Sequence, residues 1–350
     1  MTGKGPGNVR PELDPGGGRP DDKGKHKAMN RTIKLVLIVS GVLLLAALLT
    51  DFMRSRPGQQ PVNPFAYDIE AFRQVDEALI TFRETKQIRL NVDGPAGIAC
   101  CGELIWLISS DLLQAITFSG EEVLRVASAG LPAAITTTPD KGVLVAYNNF
   151  VAEYDREGQE LRRSTHRDPP ASFTGVTVSE EHVFVADAGS RQVLVYDREL
   201  QLTGSFRGES GVSEVHGLVL PGVCFDLAVD MDDWLWVVNP GIHSIQQYTP
   251  GGRLRTQWGD ASFATEGFSG CCNPVFLHVM PDGRFLTSEK GLVRIKLYHP
   301  SGTFEAVVAP PAAFEGGLNA PALATDGEGN VLALDFDKNM IRFFEPNPTE

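Results

Sequence analysis

The sequence predicts an all-β protein, a six-bladed β-propeller, preceded by an N-terminal transmembrane helix and a short amphipathic helix. Three observations carry this expectation. A β-rich unit recurs six times from about residue 87 onward, an uncharged apolar run occupies Leu35–Thr50, and a stripe of apolar residues at helical spacing lies between the two.

The N-terminus comes first in the chain and in the argument. Residues 1–31 are rich in Gly, Pro, Lys and Asp with few large apolar side chains, so they cannot offset their own ordering entropy and read as a disordered basic tail. A transmembrane anchor is expected over 32–53, with Lys34 snorkelling towards the interface. Arg19, Lys23, Lys25, Lys27, Arg31 and Lys34 precede the apolar run, and only Arg54 and Arg56 follow it closely. That bias predicts a single-pass protein of the cell membrane, its N-terminus cytoplasmic and its propeller exocytoplasmic, in the periplasm. A cleaved signal peptide is the competing reading. It is disfavoured because no small-x-small site follows the run, Ala46 and Ala47 lying inside it.

Charge narrows the partners. The whole chain carries −13 and residues 1–34 carry eight Lys/Arg against four Asp/Glu, so the remainder holds about −17. A folded domain of that sign repels phosphate backbones, which argues against a nucleic-acid partner.

Residues 54–86 read as a linker and a helix. Arg56–Asn63 is polar and Pro-rich, after which Phe65, Ile69, Phe72, Val75, Leu79 and Phe82 recur every three or four residues. With Asp68 as N-cap, this spacing predicts an amphipathic helix over 68–84 whose apolar stripe docks on the propeller.

The propeller itself is expected over 87–350. Each unit runs as an apolar strand, an acidic-Gly turn, a second apolar strand, a polar turn and a strand closed by an aromatic. The closing aromatics are Phe118, Tyr154, Tyr196, Tyr248, Tyr298 and Phe344, spaced 36 to 52 residues apart. That period suits a four-stranded blade with variable loops. Outer strands are expected at Glu122–Ser128, Leu161–His166, Leu202–Phe206, Leu254–Trp258 and Thr303–Val308. The sixth outer strand should come from Gln87–Val92, closing the ring and leaving no open sheet edge.

The clearest copies are Gly175–Tyr196 (GVTVSEEHVFVADAGSRQVLVY), Asp226–Tyr248 (DLAVDMDDWLWVVNPGIHSIQQY) and Pro274–Tyr298 (PVFLHVMPDGRFLTSEKGLVRIKLY). They resemble NHL repeats, strongly in the last four copies and weakly in the first two. The Gly-Cys-Cys-Asn-Pro loop, Glu289-Lys290-Gly291 and Asn239-Pro240-Gly241 are similar to a set found in a bacterial subfamily of membrane-anchored NHL-repeat proteins of unassigned role. The resemblance implies a fold and no mechanism, since such propellers include scaffolds, lyases and sensors.

Candidate functional residues fall on the loops at one mouth of the ring. The turns after the second strands read Asp187, Asn239, Glu289 and Asp335, with Ser109 or Ser110 and Asn148 in the weak copies. Asp and Asn at such places commonly bond their own turn. Glu289-Lys290-Gly291 departs from that pattern and has Arg294 near it, which makes Glu289, Lys290 and Arg294 ligand-binding candidates along with Asn239. Asp226 and His278 belong to the inner strands, His278 standing where copies four and six have Ala228 and Ala324. It can be a ligand, a base or a satisfied core histidine. His216 and His243 read as loop histidines, and Trp106, Trp234 and Trp236 as blade packing.

Five cysteines occur as Cys100-Cys101, Cys224 and Cys271-Cys272. Adjacent cysteines rarely bond each other, because the small ring strains peptide and disulfide alike. Cys224 and Cys271-Cys272 precede the inner strands of consecutive copies, so their sulfurs should meet at the same mouth. A disulfide from Cys224 to Cys271 or Cys272 is one reading in an oxidising compartment, and a metal or redox site is the other. Cys100-Cys101 falls at the far end of the first inner strand.

Three functions remain open. The first is a binding module for a protein or small ligand at the channel mouth. The second is a metal-dependent enzyme of the lyase or lactonase kind, for which the inner strands offer mainly Asp226 and His278. The third is a cysteine-based redox or metal site serving a membrane complex. No Ser/His/Asp order, nucleophile elbow or Gly-rich phosphate loop is present.

Overall fold

The structure, a computed structural model, describes residues 31–54, 72–208 and 217–348. The expected basic tail, the linker and the start of the amphipathic segment lie outside these residues. The chain divides into two units, 1–67 and 68–350.

The first unit contains one helix, Arg31–Arg54. Its stretch Ile33–Asp51 has a mean hydropathy of 2.6. A helix needs about 20 apolar residues to cross a bilayer, so this one is long and apolar enough to span a membrane.

The second unit is a ring of six four-stranded antiparallel sheets. Blade one comprises Pro95–Cys101, Leu104–Ser109, Leu112–Thr117 and Glu122–Ala127; blade two Pro132–Thr137, Val143–Tyr147, Val151–Tyr154 and Glu160–Arg163. Blade three comprises Phe173–Val178, His182–Asp187, Gln192–Asp197 and Leu202–Phe206; blade four Leu227–Val229, Leu235–Asn239, Ser244–Tyr248 and Leu254–Trp258. Blade five comprises Phe276–Val279, Phe285–Glu289, Arg294–Tyr298 and Phe304–Ala309. Blade six takes Ala322–Thr325, Val331–Asp335 and Met340–Pro346 from the C-terminal region, and its outer strand, Phe82–Arg89, comes from the start of the domain. The first strand of each blade is innermost, and the outer strands fall where the sequence places them.

Ring closure occurs as expected, but several residues earlier than Gln87–Val92. Phe82 pairs with Pro346 and Arg89 with Met340. The same residues correct the amphipathic helix. Within 74–84 the described residues form one 3-10 turn, Glu77–Leu79, before the chain extends into the closing strand. The helical spacing of Phe72, Val75, Leu79 and Phe82 is real, but a free sheet edge on blade six offers eight residues a ladder of hydrogen bonds and a buried site for Phe82. Tertiary pairing overrides local periodicity there.

Strand register identifies equivalent positions in the blades. Tyr154, Tyr196, Tyr248, Tyr298 and Phe344 lie opposite Val143, Val183, Leu235, Phe285 and Val331, each four residues before the end of its second strand. In blade one, whose second strand ends at Ser109, that position is Ile116, opposite Ile105. Phe118 therefore lies two residues beyond the expected place, and its ring packs 6.2 Å from Phe343 in blade six. The polar turn position shifts in blade two. Asp187, Asn239, Glu289 and Asp335 correspond to Ser109 in blade one, as expected, and in blade two to Tyr147, one residue before the expected Asn148.

Between blades the sheets bury apolar faces against each other. Blades four and five share Ala228, Trp236, Val238, Ile245, Leu277, Phe285 and Tyr298, with the Trp236 and Phe285 rings 4.9 Å apart, edge to face. Truncating an aromatic in such a seam costs about 3–5 kcal/mol. Trp106 and Trp236 are buried as packing residues. Trp234 is half-buried, with the Arg255 guanidinium 3.8 Å over its ring.

Candidate functional site

The inner strands begin, and the second strands end, on one face of the ring, called here the front face. Four polar residues close the second strands there; Asp187, Asn239 and Glu289 hold the loops that lead into their own blades, and Asp335 holds its own turn. Asp187 accepts from the Ser172 and Ser190 amides and from Gln192. Asn239 accepts from the Val219 amide and donates to Gly217 O and Gln246 Oε1. Asp335 accepts from the Lys338 amide and faces Arg342 at 3.5 Å. Asn239 is thus a structural latch in this geometry, with its amide oxygen and nitrogen both engaged.

Blade five builds this latch from full charges. Glu289 is completely buried and lies 2.6 Å from Arg294 Nε and 2.9 Å from Lys296 Nζ. It also accepts from the Ser269 amide and hydroxyl at 2.9 and 3.2 Å. Arg294 and Lys296 then donate to Gly267 O, and Arg294 also to Ala264 O. Burial alone would push the Glu289 carboxyl up, but Lys296 and Arg294 outweigh it and hold it below the usual carboxylate range. Burial, aided by the Arg294 charge, brings Lys296 down to about 8 against the pull of Glu289. Arg294 and Glu289 therefore serve as a clamp on the segment 264–269 and present no free group. Lys296 completes the clamp. It escaped the sequence reading because a lysine in a strand gives no local sign of facing inward.

That clamp holds the loop carrying the cysteines. Gly270 (φ +73°) turns the chain in the left-handed region, and Cys271, Cys272 and Asn273 follow. The buried Asn273 side chain donates to Ser269 O at 2.6 Å and to Lys290 O at 3.1 Å, and accepts from the Lys290 amide at 2.9 Å. One amide thereby fixes the cysteine loop to the turn that bears Lys290. Gly291 (φ +79°) continues that turn and donates its amide to Leu318 O in the loop before the sixth inner strand.

The result is a meeting of the three front-face cysteines with Lys290. The Lys290 ammonium donates to Cys224 Sγ at 3.3 Å, and Cys271 Sγ lies 3.6 Å from Cys272 Sγ. Partial burial pulls Lys290 down, but the sulfurs of Cys224, Cys272 and Cys271 outweigh it and raise the ammonium above its ordinary value. Burial pushes the Cys272 thiol up, the contact with Cys271 adds to this, and Lys290 opposes it. Cys271 is exposed, Cys224 half-buried and Cys272 buried, and all three are free thiols. Among the described residues, no three His, Cys, Asp or Glu side chains come together to hold a metal ion. An ammonium set among the sulfurs opposes a second cation in the same place.

Asp226 and His278 belong to a different place, the axial channel, a cavity of about 290 Å³ lined by all six inner strands. Asp226 Oδ2 accepts from the Leu277 amide at 3.0 Å, bracing the fourth inner strand against the fifth. A Cβ at Gly175 would meet Asp226 Oδ1 at 2.8 Å, so the third inner strand needs a glycine there. Burial pushes the Asp226 carboxyl up to about 7, only partly opposed by the Leu277 and Leu227 amides. His278 Nε2 lies 2.9 Å from Thr325 Oγ1, and burial brings the imidazole down to about 4. Pairing places Ala99, Thr136, Thr177, Ala228, His278 and Ala324 at one level around the channel. Cys100 lies one residue further along its strand, at the level of Thr325. Burial, with Asp326 adding, pushes its thiol well above the usual range. His243 takes a left-handed turn conformation, and His216 lies outside the described residues.

The fold has many relatives of known structure. A structural-genomics protein of unknown function from Bacteroides thetaiotaomicron superposes with a TM-score of 0.57 at 16% identity, covering 75% of this chain and 72% of that one. Virginiamycin B lyase from Staphylococcus aureus gives 0.52 at 17% identity over 77% of this chain and 89% of its own. The WD40 β-propeller domain of Doa1 gives 0.51 at 12% identity over 72% and 79%. These likenesses show the fold. No family profile matches the sequence, and no curated protein matches it.

Proposed function

We propose that this chain is a membrane-anchored, NHL-type propeller that presents its front face outside the cell as a binding module for a protein or small ligand. The observation that supports this most is Lys290. It sits on the front face between blades four and five, held by Asn273, and among the described residues its ammonium has sulfur and no carboxylate as partner. On a domain of strongly negative net charge, a positioned cation of this kind draws an anionic group to that edge of the ring. The polar residues beside it, Asn239, Glu289 and Asp335, are spent on holding loops. The lyase or lactonase alternative asks for acids, bases or metal ligands converging from several inner strands. At the level of His278 the other five positions supply only two threonines and three alanines.

The arrangement of charges about the apolar helix favours an exocytoplasmic propeller. Both parts are tested with a photo-crosslinking residue placed at position 271 on the front face or at 282 in a turn on the opposite face of blade five. In intact cells the front-face probe should yield a discrete adduct that Lys290→Ala abolishes. Equal adducts from both faces, or none from 271, would refute the assignment. Protease added to spheroplasts should degrade the propeller, and a protected propeller would reverse the orientation.

A further inference from the structure

We propose that Cys271 and Cys224 form a dithiol–disulfide exchange centre on the front face, with Lys290 as its positioning cation, which reacts with disulfides of small thiols or of exposed protein segments. Three features of the geometry carry the proposal. The cysteines come from two separate loops, yet both are gathered on one ammonium, since Lys290 donates to Cys224 and senses all three sulfurs. They differ in exposure in the way an exchange pair requires, Cys271 being open to solvent and Cys224 half-buried. The loop is also fixed at both ends. Glu289 holds Ser269, and Asn273 holds the Lys290 backbone, so the sulfurs keep their relation to the ammonium.

The neighbouring Cys272 is a poor alternative partner for Cys271. Its sulfur is already 3.6 Å away, yet a bond between adjacent cysteines closes a strained ring. Cys224 belongs to another loop and suffers no such constraint.

The reaction balances as follows. Cys271, having lost its proton to solvent, attacks one sulfur of R–S–S–R. The external S–S bond breaks, Cys271–S–S–R forms, and R–S⁻ leaves and takes up a proton. Cys224 then attacks Cys271 Sγ as its thiolate, the bond to R breaks, and a second R–SH departs after protonation. Two protein thiols lose two electrons, and one external disulfide becomes two thiols. The Lys290 ammonium faces the sulfur that carries charge in the second step. The chemistry runs in reverse when the front-face disulfide meets a reducing dithiol. It does not depend on a bound partner, so it can fail without affecting the binding function and can hold where that function fails.

The test uses the full chain in detergent or bilayer discs, equilibrated with a series of oxidised and reduced glutathione ratios, acid-quenched, alkylated and mapped. The expected product is one disulfide joining the peptide of Cys224 to that of Cys271-Cys272, with Cys100 and Cys101 still alkylated. Cys224→Ser should trap glutathione on Cys271 as a mixed disulfide that the wild type does not accumulate. Lys290→Met should slow closure roughly tenfold and let the same mixed disulfide build up transiently. The proposal is overturned if no Cys224 cross-link forms at any ratio. It is equally overturned if wild type and Cys224→Ser hold the same mixed disulfide, or if Lys290→Met closes at the wild-type rate.

Discussion

At the end of its second strand blade two carries Tyr147, and at the equivalent position blade five carries Glu289. Tyr147 stacks on Phe150 with centroids 4.5 Å apart, and its hydroxyl meets that of Tyr154 at 2.6 Å, so the blade satisfies itself within one hairpin. Glu289 instead gathers Arg294, Lys296 and Ser269, and through them the carbonyls of Ala264 and Gly267. The aromatic version closes a hairpin. The charged version reaches out and holds a long loop, and that loop carries Cys271, Cys272 and Asn273. Buried ion groups are seldom the most stable filling for a core. Their use in blade five, where blade two manages with rings, fits a blade that must position something.

The difference can be broken at either end. Glu289→Ala strands two buried cations without an anion, and denaturant unfolding should show a loss of roughly 3–5 kcal/mol. Tyr147→Phe removes one buried hydroxyl pair, and about 0.5–1.5 kcal/mol should go. A Glu289→Ala cost no larger than that of Tyr147→Phe would mean the clamp is ornamental.

The channel sharpens the comparison through pH. Asp226 has its carboxyl raised to about 7 by burial, so the unfolded chain ionises first as pH rises from the ordinary carboxylate value. The fold therefore loses stability through that window and loses no more above about 7. Asp226→Asn, measured by thermal melts between pH 4 and pH 8, should remove this slope, which is on the order of 3 kcal/mol over the window. His278 acts at the acid end. Its folded value of about 4 lies below that of a free imidazole, so stability falls as pH drops from about 6.5 towards 4. His278→Ala should flatten that limb, and an unchanged limb would place the imidazole in contact with water. The smallest stability effect belongs to Lys290→Ala, under about 0.5 kcal/mol, because the side chain is partly exposed and the turn is held through its backbone.

These contrasts also explain what the sequence allowed one to read. Blades three to six were legible because an acid or amide at the end of the second strand faces a strand rich in β-branched and aromatic residues, a pattern visible without coordinates. In blade two Tyr147 replaces it, so the nearest polar residue, Asn148, drew the register one residue too far, whereas in blade one the equivalent residue is Ser109, small and uncharged. The closing strand was legible as a need but misplaced, since residues 82–86 carry a helical spacing that only a sheet edge can overrule. The convergence of Cys224 with Cys271-Cys272 followed from equivalent places in neighbouring copies. The role of Lys296 did not, because inward-facing charge is a property of the sheet face and depends on register. Asp226 and His278 were legible as inner-strand residues from the register of the copies, and the structure has both lining the channel.

The central claim is that the buried charges of blade five exist to hold the cysteine loop against Lys290. Native-state labelling of Cys272 with an alkylating reagent tests it most directly, comparing wild type with Glu289→Gln and using half-buried Cys100 in the same molecule as the reference. Each 1.4 kcal/mol of local loosening speeds labelling roughly tenfold. The account predicts that Cys272 labels at least about tenfold faster in Glu289→Gln while the rate at Cys100 stays within about twofold of wild type. Equal acceleration at both cysteines, or none at Cys272, would show that the clamp stabilises the ring as a whole and has no special hold on the site.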